Sequence, residues 1–326
     1  MSSSSAAVQD HSLLKQFAAR PDFPALVFLL VVFVGFSLFV PSFWSLGNLV
    51  NTMRQTAPIA IVALAVNQII IAGEIDISMG SMVAVLAFIF AGISEATGMP
   101  WLAMAITLAC GGAFGSVNGV LATVLGIPAI IATLGTLMIL RGALLIGAGS
   151  ITLYASEATR IFGNGRIVGV PVEVWIFLGV FVYFALLASQ SRYGRRVLAV
   201  GGNARAARDI GIPVNAVRFW AYVQVGLCCA LAAPVFVGQV AAMTANVGAG
   251  FELKVIATVV LGGTSLSGGR GTVLAPVIGA VLLSLILNAT ALVRLPPTFE
   301  SLILGVIILI SVAFIGVRAR HQERAS

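Results

Sequence analysis

Nearly continuous apolar runs, separated by short polar links, constrain this chain more than any other feature. A helix rises about 1.5 Å per residue, so a run of about 20 apolar residues matches the roughly 30 Å hydrocarbon core of a bilayer. Inside lipid every backbone polar group must be paired, which leaves helices or a closed barrel. Barrel strands alternate in polarity over about ten residues; these runs do not. Of the 326 residues, 60% are hydrophobic and only 9% are charged, whereas a soluble domain carries about a quarter charged. The fold class that follows is all-α, a polytopic transmembrane bundle.

The runs fall at 24–40, 57–73, 77–94, 101–123, 130–148, 172–189, 217–241, 252–266, 272–290 and 299–317. About ten spans are therefore expected, one or two of them interrupted by glycine. The layout at the N-terminus imitates a secretory signal, with Lys15 and Arg20 ahead of Ala25–Val40. Pro41-Ser42-Phe43-Trp44 offers no small-residue cleavage site, so the first run reads as an uncleaved span. An even count places both termini on one side. Lys15, Arg20, Arg318, Arg320 and Arg324, with the arginine-rich 190–218 connection, put that side in the cytoplasm. Residues 1–23 and 318–326 then form cytoplasmic tails, and 24–317 forms the membrane domain with a cytoplasmic loop at 190–217.

Several function classes drop out. The net charge of +7 is gathered at the tails and one loop, a membrane pattern that implies no nucleic-acid partner. Cys110, Cys228 and Cys229 have no metal or redox spacing and read as packing residues. The only histidines are His11 and His321, so neither a metal site nor a catalytic site is indicated. There is no phosphate-binding loop, so any ATP is bound by another chain.

Four stretches carry mechanism. Ala72-Gly73-Glu74-Ile75-Asp76-Ile77-Ser78-Met79-Gly80-Ser81 puts two carboxylates between apolar runs, where each costs about 3 kcal/mol at membrane depth. It is either a cytoplasmic turn whose Asp76 or Ser78 caps the next helix, or a broken helix lining a solute path. Gly262-Gly263-Thr264-Ser265-Leu266-Ser267-Gly268-Gly269-Arg270-Gly271 is a second interruption. It reads as the partner of the first by analogy with discontinuous transporter helices, or as an unrelated loop. Gly111, Gly115 and Gly119 form a ridge for close helix packing, with Asn118 beside it. Arg141, inside an apolar run, requires a partner, a wet cavity or an interfacial position. Polar groups on otherwise apolar spans make Asp76, Ser78, Asn118, Thr133 and Asn288 the candidates for a substrate path.

The stretch 194–213 is the most specific. Asn203 is an N-cap, Ala204–Ile210 is a short helix, and Gly211 with Pro213 ends it. So short a helix is marginal alone in water and needs a surface to dock on, unless the stretch is simply a basic loop held by anionic lipid.

At these residues the chain resembles the permeases of ribose-type ABC importers, within the branched-chain amino acid/ribose-type permease family. Gly-Arg-Arg at 194–196 with Gly201-Gly202-Asn203 and Ala206-Ala207 looks like the family's coupling region. Ile75-Asp76-Ile77-Ser78, Ile130–Leu137 with Arg141-Gly142, and Val259–Gly269 are similar to three further family segments. The resemblance spans about 25–317. Glu74 departs from it, because the family more often has glycine there.

The resemblance implies a multi-pass protein of the bacterial inner membrane that moves a small sugar or sugar-like solute, in a family whose substrates include monosaccharides and autoinducer-2. The implied partners are a cytoplasmic ATPase that binds the ATP, a periplasmic solute-binding protein, and a second permease copy or paralogue. It assigns ATPase coupling to Gly194, Arg195, Gly202, Asn203, Ala206, Ala207 and Gly211, and no cofactor to this chain. The competing reading is an ion-coupled secondary transporter that uses Asp76 and Glu74. Cysteines introduced at Ser5, Asn203 and Ala325 are expected to resist external labelling in intact spheroplasts. Labelling of any one of them from outside breaks the topology.

Overall fold

The computed structural model describes residues 22–309 apart from Pro41, Ser150, Ile151, Ala155, Ser156, Ala241, Pro297 and Ile308. The expected tails, including Arg318, Arg320 and Arg324, fall outside the described residues. In chain order the helices are α1 (Phe23–Phe39), α2 (Leu46–Ile71), α3 (Met79–Thr97), α4 (Pro100–Thr123) and α5 (Ala129–Ala148). They continue with α6 (Glu157–Asn164), α7 (Val172–Gln190), α8 (Arg192–Gly202), α9 (Ala204–Asp209) and α10 (Val214–Gln239). The last are α11 (Phe251–Leu261), α12 (Leu274–Leu292) and α13 (Thr298–Ile307). Two small antiparallel ribbons complete the fold: β1 (Leu153–Tyr154) pairs with β4 (Ala242–Met243), and β2 (Arg166–Ile167) with β3 (Val170–Pro171).

Among the described residues seven helices, α2–α5, α7, α10 and α12, are long and apolar enough to cross a membrane. The count of about ten full spans is not reproduced. The remaining expected spans hold shorter helices: α1 has 17 residues, α11 has 11, and α13 is also short. Eleven helical residues reach only about 16 Å, roughly half the hydrocarbon core.

Two helices begin or extend where the apolar pattern gave no signal. α2 starts eleven residues before the expected 57, because Ser45 caps it by accepting from the Asn48 amide at 3.2 Å. Its polar first turns are satisfied in place: Arg54 pairs with buried Glu173 at 2.9 Å, and Asn48 Nδ2 donates to Phe43 O at 3.0 Å. α8 fills what read as loop, because Val197 and Val200 give it a buried face between exposed arginines.

The core lies where α2, α3 and α10 meet, with Ile61, Leu64, Met79, Met82, Phe90 and Tyr222 fully enclosed. α4 lies flush on α10 because Gly111, Gly115 and Gly119 all face it. A Cβ on Gly115 would sit 2.5 Å from Tyr222 O, and one on Gly119 would sit 2.7 Å from the Phe219 ring. The ridge expected from the sequence is therefore a backbone contact.

One end of the bundle gathers the start of α10, the end of α4 and the 262–273 stretch. Asn215 Nδ2 donates to Thr123 O at 2.9 Å there. The opposite end is tied by Arg54, Glu173, Asn164 and Gln239, whose Nε2 donates to Arg54 O at 2.8 Å. Overpacking such a contact costs about 1–3 kcal/mol. Gly115→Ala is expected to lower the thermal midpoint of the purified protein by several degrees. Gly112→Ala, whose Cβ meets only Leu227 Cδ2 at 3.5 Å, should leave it unchanged.

Candidate functional site

Between α2 and α3 the chain leaves helical geometry over Ala72–Ser78, turning at Gly73 with φ 79°. Asp76 sits in this break with no exposed surface. Burial of a carboxylate is tolerated when charge-assisted hydrogen bonds replace water, and here three do so. The Ser78 amide donates to Oδ1 at 2.8 Å, Ser78 Oγ donates to the same oxygen at 2.6 Å, and Asn118 Nδ2 donates to Oδ2 at 3.2 Å.

Asn118 Nδ2 also donates to Ser78 Oγ at 2.8 Å, which fixes its orientation, since the flipped amide would turn oxygen toward carboxylate. Its Oδ1 is buried and accepts from nothing among the described residues. Thr133 Oγ1 closes the group by accepting from the Ile77 amide at 3.3 Å while donating to Ala129 O at 2.8 Å. Four candidates, Asp76, Ser78, Asn118 and Thr133, thus form one cluster drawn from the break, α4 and α5. Asn288 lies elsewhere: its Nδ2 donates to Asn48 Oδ1 at 2.8 Å, joining α12 to α2. Ser78 is the residue before α3, but its own side chain makes no capping bond; the turn is held by Asp76 instead.

Glu74, two residues earlier, is also engaged. Its Oε1 lies 2.6 Å from Arg218 Nη1, and Tyr222 Oη donates to Oε2 at 3.2 Å.

The late glycine-rich stretch packs against the same place. Asn67, buried on α2, holds both of its ends: Thr264 Oγ1 donates to Asn67 Oδ1 at 2.6 Å, and Asn67 Nδ2 donates to Thr272 O at 3.0 Å. The Gly269 amide donates to Ile71 O at 2.9 Å. A Cβ on Gly268 would meet Gly73 Cα at 3.1 Å and Gly201 O at 3.0 Å. The two interruptions singled out in the sequence are therefore neighbours, and the Gly201-Gly202 end of α8 lies against both. Sequence reasoning missed Asn67. The one signal for it was the Asn67-Gln68 pair inside an otherwise apolar run.

α8 and α9 form an elbow-shaped arm. Asn203 caps α9, its Oδ1 accepting from the Arg205 and Ala206 amides at 3.1 and 3.0 Å, and Gly211 turns with φ 82°. Ala207 points inward, into an apolar cluster with Ile71, Ala72, Val197, Val200, Val214 and Val217. Gly194 is buried against the end of α7, near Ala188 Cα. Arg195, Gly202, Asn203, Arg205, Ala206, Arg208 and Gly211 stay exposed, and Ile210 is 77% exposed. Tyr193 anchors the arm by donating to Val217 O at 3.1 Å, and burial holds its phenol well above the usual tyrosine range.

Arg141 finds its partner in backbone. Its Nη1 donates to Ala245 O at 3.1 Å and Val247 O at 3.0 Å, pinning the non-helical segment that leads into half-length α11. Backbone of this kind is tolerated at membrane depth only where protein or a cavity satisfies it.

A helical bundle with two broken segments, and a basic arm seated on both, defines a multi-pass membrane protein of the transporter class. Residues 48–312 match the family described as branched-chain amino acid transport system / permease component, and the chain belongs to that family. It is 35% identical to the ribose import permease protein RbsC of Escherichia coli (strain K12), over 88% of this chain and 91% of that one. It is 34% identical to RbsC of Bacillus subtilis (strain 168), over 88% and 89%. It is 32% identical to the L-arabinose ABC transporter permease protein AraH of Azospirillum brasilense, over 91% and 87%. No solved structure matches. The protein is thus a membrane permease, and the ion-coupled reading loses its footing because the relatives are ABC importer permeases.

Asp76→Ala removes the acceptor of the Ser78 amide and hydroxyl and one of the two acceptors of the Asn118 amide. It is expected to cut transport at least tenfold while the protein still inserts. Ser81→Ala, which removes a hydroxyl that bonds nothing among the described residues, should transport within twofold of the parent. Equal rates for the two variants would return Asp76 to a local turn-forming role.

Proposed function

We propose that this chain is the membrane-spanning permease of an ATP-driven importer that carries a small sugar across the bacterial inner membrane. The observation that carries the reading is the arm: its inner face is sealed onto the break, while its outer face leaves Arg195, Arg205, Ala206, Arg208 and Ile210 exposed. A basic rim around the exposed aliphatic side chains of Leu198 and Ile210 suits a groove on a soluble protein with acidic or carbonyl groups. The partner is a cytoplasmic ATPase that binds the ATP, so this chain is a transport subunit and not an enzyme. Ala207 and Gly194 serve by seating the arm, and Asn203 and Gly211 by shaping it.

Solute reaches the outer face on a periplasmic binding protein, and a second permease copy or a paralogue completes the path. Asp76, Ser78, Asn118 and Thr133 flank that path, and Asn118 Oδ1, which has no partner among the described residues, is suited to accept from a solute hydroxyl. Asn288 acts from the far side, between α2 and α12. The relatives named for ribose and L-arabinose make pentoses the first solutes to test.

The test is uptake into proteoliposomes holding this chain and its ATPase, driven by ATP and the binding protein, over a panel of labelled sugars. Pentose uptake well above that of unrelated solutes is expected, and none for any sugar would refute the reading. Ile210→Asp is expected to lower co-purification of the ATPase several-fold without changing the thermal midpoint, and full recovery of the ATPase would remove the arm from the interface.

A further inference from the structure

Glu74 lies two residues before Asp76 in the break, and the fold gives that carboxylate two partners on one helix. Arg218 and Tyr222 are one turn apart on α10, so they share a face, and both reach Glu74, at 2.6 and 3.2 Å. Only 13% of the Glu74 side chain is exposed. The contact sits at the root of the arm, since α10 begins at Val214, five residues after α9 ends.

Around this contact three glycine turns meet backbone against backbone, beside the apolar cluster that holds Ala207. Gly73 lies 3.6 Å, measured from its absent Cβ, from Arg218 Nη2, and it touches Gly268. A Cβ on Gly269 would meet Gly202 Cα at 2.7 Å, and one on Gly201 would collide with Ile71 O. Two residues beyond Glu74, Asp76 is gripped by Asn118 of α4, and α4 is zipped to α10 through Gly111 and Gly115. The break is therefore held at residue 74 by α10 and at residue 76 by α4, two helices packed closely against each other.

We propose that Glu74 is a positioning residue for transport. Its clasp with Arg218 and Tyr222 passes displacement of the arm into the break that carries Asp76. The glycine contacts transmit compression, because backbones in van der Waals contact cannot approach further. Separation is resisted by the Gly269–Ile71 hydrogen bond and by the apolar cluster that seats Val197, Val200 and Ala207 on Ile71 and Ala72. The ion pair adds a charged tie at residue 74, so that the break follows when the arm moves away as well as when it moves in. The proposal rests on the reading of the arm as the ATPase contact, and the test separates the two.

The experiment uses the assembled permease–ATPase complex in nanodiscs, with hydrogen exchange of the arm (192–209) and of the break (72–82) measured with and without ATP. No solute is needed. In the parent both segments are expected to respond to ATP. In Glu74→Gln and in Arg218→Gln the arm should still respond, while the response of the break falls at least fivefold. The charge swap Glu74→Arg with Arg218→Glu should recover at least half of it, a result that a merely structural loss would not give. Tyr222→Phe, which keeps the ion pair and the packing, should lower the response of the break by about twofold, and it reads the clasp if a charge variant fails to assemble. An unaltered break response in Glu74→Gln overturns the proposal, as does a swap that assembles but recovers nothing. An arm that ignores ATP in the parent overturns the functional reading instead.

Discussion

The rest of the structure depends on a buried carboxylate. Asp76 lies in a helix break with no contact with solvent, and its three hydrogen bonds decide the positions of the elements that supply them. Intramolecular hydrogen bonds contribute about 0.5–1.5 kcal/mol each, and losing one leaves a buried polar atom short of a partner. α4 must therefore bring Asn118 within reach, and it does so because three glycines let it lie on α10. The break in turn must stay non-helical, because an Asp76 turned into a continuous helix would lose the Ser78 amide. Chemistry at one residue thus accounts for the glycine ridge, the position of α4 and the interruption between α2 and α3.

A second constraint is steric. The turn after α2, the end of α8 and the 268–269 turn approach so closely that side chains at Gly201 or Gly269 would collide with neighbouring backbone. Three segments far apart in sequence become one junction, and the arm cannot shift without meeting the breaks. A membrane permease driven by a separate protein needs such a linkage, since the energy enters outside the bilayer and the solute crosses within it.

Much of this was legible in the sequence, and the exceptions have physical causes. Apolar run length located α3, α4, α5, α7, α10 and α12 to within a few residues, because lipid imposes that length directly. Asp76, Ser78, Asn118 and Thr133 stood out as polar groups in apolar surroundings, and the fold brings them together. Asn288 stood out for the same reason yet serves a different contact, since polarity marks a need for a partner without naming it. The first turns of α2 were missed because Arg54 looks like a loop residue until Glu173, more than a hundred positions away, is seen to pair with it. α8 was missed because its apolar run, Val197–Val200, is only four residues long and is flanked by arginines and glycines. α11 was expected to reach 266, but it ends at Leu261, where the glycine-rich stretch begins and Gly262 packs against Ala275. That Ala207 faces inward was unreadable, since alanine carries no signal of direction.

The central claim is that the arm and the two breaks are one mechanical unit. Electron cryo-microscopy of the assembled complex, with and without nucleotide, measures it at the Gly269 N–Ile71 O distance. The account predicts that this bond persists in both states, with Gly201, Gly73 and Gly268 displaced together relative to α1 and α12. An arm that lifts away in one state, with that bond broken and the 72–78 segment left in place, contradicts it.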